Sequence, residues 1–246
     1  MTAVRIAAVG DVHVGVDSGR VLGRPEQLAT TADLLLVAGD LTRHGTPDEA
    51  RVLAEEIGSA PVPVVMVLGN HDYEADAADE VRAVFEAAGA TVLDGDATVV
   101  EVGAVRVGIA GTPGFGGGFR GASCSEFGEP MMKQFVRRTR SMADALCHSL
   151  TGLDTDVRIA MTHYSPIEAT LEGERLEIYP FLGSYLLAEA IDTGGAHLAL
   201  HGHAHRGARA GCTPCGVPVR NVAQPLIGRP FTVLRVETDD LEVLEG

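Results

Sequence analysis

Apolar and polar positions fall into two rhythms along the chain. In the N-terminal part, unbroken apolar runs alternate with amphipathic stretches. Val4 to Val9, Leu34 to Ala38 and Val62 to Leu68 read as strands, and their near-continuous apolar character suits a sheet covered on both faces. Helices are predicted between them, around Pro25 to Thr31 and Pro47 to Ile57, with a third from about Ala75 to Ala88. The second opens well: Thr46 can cap it, Pro47 takes the first helical position, and Asp48 and Glu49 complement the dipole. Such a βαβαβ start implies parallel strands joined by right-handed crossovers.

After Gly89 the rhythm shortens. Thr91 to Leu93, Thr98 to Val102 and Val105 to Ala110 read as short strands separated by Gly/Asp turns. Thr112 to Pro130 is Gly-rich and irregular, and a connection of that length is usually functional or mobile. Lys133 to Leu150 is predicted helical, Val157 to Met161 a strand, and Pro180 to Ile191 a helix. The tail is strand-rich: Leu198 to Leu200, Gly207 to Gly211, Val217 to Val222, Phe231 to Val236 and Leu241 to Leu244. No internal repeat or low-complexity block interrupts it, so residues 1–246 read as a single domain.

Hydrophobic residues make up 46% of the chain, enough to bury a sizeable core and to exclude a disordered protein. Aromatics are only 4% and Trp is absent, so that core must be built from Ala, Val, Leu and Ile. Nineteen Lys and Arg against 34 Asp and Glu leave a net charge of −15. Such a surface repels long nucleic acids and anionic membranes, but a local metal cluster can still hold a small anion. Cys124, Cys147, Cys212 and Cys215 are too few for a disulfide scaffold. Met1 to Ile6 carries no signal-peptide pattern, and the longest apolar runs are too short to cross a bilayer. A soluble, cytoplasmic protein without membrane attachment is expected.

Metal-type ligands sit just past the predicted strands. They are Asp11 and His13, Asp40, Asn70 with His71 and Asp72, His163, and His203 with His205. In open α/β sheets ligands bind at the carboxyl edge, so these distant residues can converge. Asp40 is a lone carboxylate with two oxygens, fit to bridge. Mixed N/O ligation without thiolate favours Mn, Fe, Zn or Co, and two such ions can clamp a phosphoryl group.

Asp11-x-His13, Gly39-Asp40, Gly69-Asn70-His71-Asp72, His163 and Gly202-His203-x-His205, in this order, resemble the calcineurin-like metallophosphoesterase superfamily. The overall look is most similar to small bacterial members, including class III cyclic-nucleotide phosphodiesterases. The resemblance implies a four-layer α/β/β/α sandwich of two mixed sheets, with a dinuclear metal site at the carboxyl ends of the strands. It implies a first ion held by Asp11, His13, Asp40 and His205, and a second held by Asp40, Asn70, His163 and His203. The ions would be divalent or of mixed valence, Mn or Fe first, with Zn, Co or Ni as alternatives. His71 is the implied catalytic residue, stabilising or protonating the leaving oxygen. The implied reaction is attack on phosphorus by a hydroxide bridging the ions.

Two departures narrow the resemblance. Protein phosphatases of the superfamily carry an Asp where Arg43 stands, paired with the catalytic His; here Asp72 is left as a candidate partner for His71. Purple acid phosphatases place a Tyr ligand at the same position, so a tyrosinate-bound ferric site is disfavoured. Taken singly, each residue also has a plain structural reading: Asp11 and Asp40 as turn formers, Asn70 as a turn residue, His163 and His203 as buried, bonded histidines. His44 reads equally as a phosphate contact or a solvent-facing residue, and His201 as structural. Arg43, Arg120 and Arg206 are phosphate-contact candidates. Cys212-Thr213-Pro214-Cys215 has zinc-knuckle spacing but no second pair, so a hairpin turn is expected there.

The expected function is metal-dependent hydrolysis of phosphoester bonds, of small phosphodiesters in particular, because cations near the motifs are sparse. Phosphomonoester or nucleotide pyrophosphate hydrolysis at the same site, and a non-catalytic metal-binding scaffold, are the alternatives. A nuclease is disfavoured by charge. The expected partner is a small phosphorylated substrate, and the apolar tail strands leave room for homo-oligomers.

Overall fold

The structure is a computed structural model, and it describes residues 3–238 and 242–245. Two six-stranded sheets carry it. The first is built on four parallel strands, β1 (Ala3–Val9), β2 (Leu34–Ala38), β3 (Val64–Val67) and β4 (Thr91–Leu93). The second contains β5 (Asp96–Val102), β6 (Val105–Thr112), β9 (Val157–Thr162), β10 (Leu198–His201), β11 (Ala210–Cys212) and β12 (Pro218–Asn221), in the order β11-β12-β10-β9-β6-β5. Its four inner strands are parallel and its two edges antiparallel. β13 (Thr232–Glu237) and β14 (Val243–Glu245) return to extend the first sheet, β13 pairing antiparallel with β1. A small hairpin of β7 (Gly118–Phe119) and β8 (Ala122–Ser123) lies within the Gly-rich connection.

The period-two split of the strands explains the layering. In β1 to β3, Ile6, Ala8, Leu34, Leu36, Val65 and Val67 face the second sheet and pack on Val107, Ile109, Ile159, Met161 and Leu200. The alternate residues, Ala7, Val9, Leu35, Val37 and Met66, face the other way. They meet a layer formed by α1 (Pro25–Thr31), α2 (Pro47–Gly58) and α3 (Ala78–Ala87). On the far face of the second sheet, Ala110, Ala160 and Ala199 are small and admit the helices α4 (Pro130–Thr151) and α6 (Tyr185–Gly194). The result is the expected four-layer α/β/β/α sandwich with two mixed sheets. Two short helices, α5 (Tyr179–Leu182) and α7 (Gln224–Ile227), complete the element order.

Three expected elements differ. The helix predicted from about Ala75 starts at Ala78, because Asn70–Tyr73 forms a 3-10 turn that delivers site residues. The helix predicted over Pro180 to Ile191 is broken at Gly183, whose backbone bridges to Ser165; a Cβ there would strike the Ser165 carbonyl. Ser184 then caps α6 by accepting from the Leu186 N–H at 3.3 Å. The strand predicted at Gly207 to Gly211 begins at Ala210, because residues to Gly207 complete the turn after β10. The first residue of the predicted strand Leu241 to Leu244 lies outside the described residues. Cys212 to Cys215 forms the hairpin turn between β11 and β12, and all four cysteines are free. Among the described residues no helix is long and apolar enough to cross a membrane.

Candidate metal centre

Strand ends from both sheets meet along one seam. The His163 Nδ1–H donates to the Ala38 carbonyl at 2.9 Å, and the Gly202 N–H to the His163 carbonyl at 3.1 Å. The turns that aim the polar side chains are strained. Asp11, His13, Asp40 and His203 have φ of 56°, 42°, 49° and 68°, and they are four of the five non-glycine residues with positive φ among those described. Such conformations each cost about 1 kcal/mol or more, and they persist only where surrounding bonds over-determine them. Here the Asp11 N–H donates to Gly39, His13 to Asp40 and Val14 to Leu41, stitching the first turn to the second. Gly39, at φ 82°, leaves room for the His163 ring, which a Cβ would displace.

The seven candidate ligands form two groups that share Asp40. Asp40 Oδ2 is 3.7 Å from His13 Nε2, while its Oδ1 is 3.3 Å from His163 Nε2. Around the first oxygen, His205 Nε2 lies 2.9 Å from Asp11 Oδ1 and 3.4 Å from His13 Nε2. Around the second, the Asn70 Oδ1 lies 3.0 Å from His163 Nε2. Donor atoms of Asp11, His13, Asp40 and His205 fall within 4.8 Å of one another, as do those of Asp40, His163 and His203.

The donor set fits metal ions on its own chemistry. Asp11 and Asp40 are 2% and 1% exposed, and among the described residues their ion-pair partners are all histidines. Buried carboxylates without Lys or Arg need compensating charge from another source. Two histidines are already oriented by carbonyls. His163 commits its Nδ1–H to Ala38, and His203 its Nε2–H to Phe181 at 3.2 Å, so each keeps one lone pair for a cation.

The family model of calcineurin-like phosphoesterases matches residues 4–207. The chain belongs to this family. No curated protein matches it. Among solved structures, the phosphopantetheinyl hydrolase of Mycobacterium tuberculosis superposes with a TM-score of 0.60 at 15% identity, covering 89% of this chain and 88% of that one. Two proteins of Thermus thermophilus superpose at 0.57 and 0.54, with 15% and 18% identity, over 100% and 98% of this chain and 99% of each of theirs. At these identities the likeness is one of fold.

In this calcineurin-like phosphoesterase the charges of the site are set by burial and by each other. Burial pushes the Asp11 carboxyl up, but the His205 hydrogen bond and the nearby histidines outweigh it, and the group ends below its ordinary value. Burial, then His163, pushes His203 down to about 3, and burial also lowers His13, so both imidazoles stay neutral. Burial alone would lower His163, yet the charges of Asp40 and Asp11 raise it.

His71 sits at the rim. Its Nδ1–H donates to the Arg43 carbonyl at 2.9 Å, and its Nε2 lies 4.0 Å from Asp40 Oδ2. Asp72, the candidate partner, is not the one it uses. The Asp72 carboxylate instead accepts from the N–H groups of Leu41, Thr42 and Gly69 and from the Thr42 hydroxyl, tying the second turn to the third. Burial, then Asp40, pushes the Asp72 carboxyl up to about 6.

Other expectations resolve more simply. His44 pairs with Glu49 at the start of α2, and Arg43 turns its guanidinium to Asp17 at 3.2 Å. Arg120 pairs with Glu189. His201 is buried, donates to the Gly202 carbonyl, accepts from Thr170 and is pushed down to about 4 by burial: a structural residue. Sequence reasoning missed Tyr73, Phe115, Arg138 and Tyr164, which line a cavity against Asn70. Tyr73 and Tyr164 directly follow ligand motifs, Phe115 lies in the Gly-rich connection expected to be functional or mobile, and Arg138 carried no cue.

Proposed function

We propose that this phosphoesterase hydrolyses small phosphodiesters at a pair of metal ions. The carrying observation is that the two oxygens of Asp40 face different donor groups, one with Asp11, His13 and His205, the other with Asn70, His163 and His203. When bound, two such ions polarise phosphoryl oxygens and acidify water. The chain's own contribution begins with Asp40, whose single charge serves both groups. The imidazoles of His13, His163, His203 and His205 would hold ions as neutral ligands, so that two divalent ions against Asp11 and Asp40 would leave positive charge for an anionic ester. His71 gives its Nδ1–H to the Arg43 carbonyl and turns Nε2 to the rim; in the imidazolium form the Nε2 proton can pass to a departing oxygen, leaving the neutral ring.

The preference for diesters is supported by charge. Arg43, three residues past Asp40, is turned to Asp17 and so is not offered as a counter-charge to a doubly charged monoester. The test is elemental analysis of the purified protein, followed by Mn²⁺-supported turnover of bis-p-nitrophenyl phosphate and p-nitrophenyl phosphate. About two ions per chain and faster diester cleavage are expected. A strong monoester preference would replace the substrate class, and less than about one ion per chain under metal-replete conditions would favour a scaffold.

A further inference from the structure

Beside the metal centre a cavity of about 270 Å³ opens between the turn after β3, the start of the Gly-rich connection and α4. Its lining includes Asn70, Tyr73, Pro113, Phe115, Arg138 and Tyr164. We propose that this cavity holds a planar ring carried by the substrate ester, an aryl or heterocyclic group, with the acceptor edge of the ring turned to Arg138. The inference rests on the phosphoesterase reading and deepens it.

Position comes first. Asn70 belongs both to the cavity and to the second donor group. The Tyr164 ring stands 4.4 Å from the His203 ring and 5.6 Å from that of His163. A group esterified to a phosphate at the metal centre therefore enters this cavity directly. Shape comes second. Phe115 is held at 4.9 Å by Phe135 and at 5.8 Å by Tyr164, both tilted, which makes a braced aromatic wall. In a chain with so few aromatics, three of them line one small space.

Charge decides the class. Arg138 lies over the Phe115 ring at 5.3 Å, so its guanidinium is already stacked, and among the described residues none of its N–H groups is hydrogen-bonded. Its neighbours Arg137 and Arg140 are both engaged by Glu126, at 2.6 and 2.8 Å. Among the described residues no carboxylate pairs with Arg138. Of the three arginines at 137, 138 and 140, the one without an acid is thus the one at the cavity, in a protein of net charge −15. An aliphatic ester group would gain burial against Phe115 and Tyr164 but would leave that edge unused. A ring with carbonyl or ring-nitrogen acceptors satisfies both.

The experiment compares S-ethyl phosphorothiolate diesters, whose ethanethiol leaving group carries no ring and is read with a disulfide reagent, and which differ in the other ester: methyl, n-hexyl, phenyl and thymidine 5′. With Mn²⁺-loaded protein, phenyl and thymidine esters should exceed the methyl ester in kcat/KM by about tenfold, with thymidine the better of the two and n-hexyl well below both. In Phe115→Ala the phenyl-to-methyl ratio should fall towards one, chiefly through KM. In Arg138→Ala the advantage of thymidine over phenyl should vanish. A wild-type ratio near one, an n-hexyl ester equal to phenyl, or ratios untouched by both substitutions would overturn the inference while leaving the phosphoesterase reading in place. If no ester is cleaved, that reading fails instead. Calorimetric binding of phenyl phosphate and methyl phosphate to the same protein then decides the ring. Tighter phenyl binding, lost in Phe115→Ala, supports it, and equal binding overturns it.

Discussion

The His71 backbone N–H donates to Asp40 Oδ1 at 2.8 Å and its Nε2 lies 4.0 Å from Oδ2, yet the two side chains answer to different tests. Asn in place of Asp40 keeps the shape and removes the charge that both donor groups share. We expect Asp40→Asn to lose most activity and to loosen both ions. His71 contributes no atom to either group, so His71→Ala should keep near-normal metal content while kcat falls by roughly 10²–10³. Metal analysis alongside kcat separates the two, and equal metal loss in both variants would remove the proposed role of His71. The pairing of His71 also shows what a sequence can hide. Its Nδ1 lies 2.9 Å from the Arg43 carbonyl and 3.4 Å from the Glu74 carboxylate, and since every residue has a carbonyl, no residue type at position 43 could announce the first contact. Asp72, the natural candidate, is occupied by four donors that fix the second and third turns.

Among the elements, β1 is tied to the entry of β2 by a two-pronged contact. Arg5 donates to Asp33 from its backbone N–H at 2.8 Å and from its guanidinium at 2.7 Å. Burial pushes the Asp33 carboxyl up, but these hydrogen bonds and the Arg5 charge win, and the group lies below its ordinary value. The folded state therefore binds this proton less readily than the unfolded chain. The resulting stability is fully present above the ordinary Asp range and is lost as pH falls through the folded value. Asp33→Asn should lower stability near neutrality by about 1 kcal/mol or less, and the difference from wild type should shrink as pH drops below about 3.9. Thermal melts of both proteins across about pH 2.5 to 7 check this; a gap that widens in acid would contradict it.

The elements that could be read from sequence were those whose signals were local. β1 to β3 are apolar except for Arg5 because both faces are covered, and α2 carries a full capping box between Thr46 and Glu49. The candidate site was legible for a related reason: each motif directly follows an apolar strand, so the sheet edge collects them. What sequence could not show depended on contacts far along the chain. Gly183 breaks a helix because Ser165 lies against it, and Arg138 is an ordinary helix residue until Phe115 is packed beneath it.

At the scale of the whole molecule, the sheets are held face to face by an aliphatic layer, and the metal centre lies along the same seam. Ile109 and Ile159, both fully buried in that layer, have no polar role. Ile159→Ala should cost about 2–5 kcal/mol in urea unfolding. A chelator should also lower the wild-type melting temperature, because ions that bind only the folded state add stability by mass action, about 2.7 kcal/mol at a hundredfold excess over Kd. Asp40→Asn should show little of this chelator response.

The seam also orders events in time. His205 stands 194 positions after the Asp11 that it contacts, and β13 is made later still, yet it is β13 that covers the open edge of β1. A nascent chain leaving the ribosome therefore carries Asp11, His13 and Asp40 for most of its synthesis without the histidines that complete either group. Neither donor group can be complete until residues 203–205 have been made, and until β13 follows, that side of β1 is an unpaired strand edge.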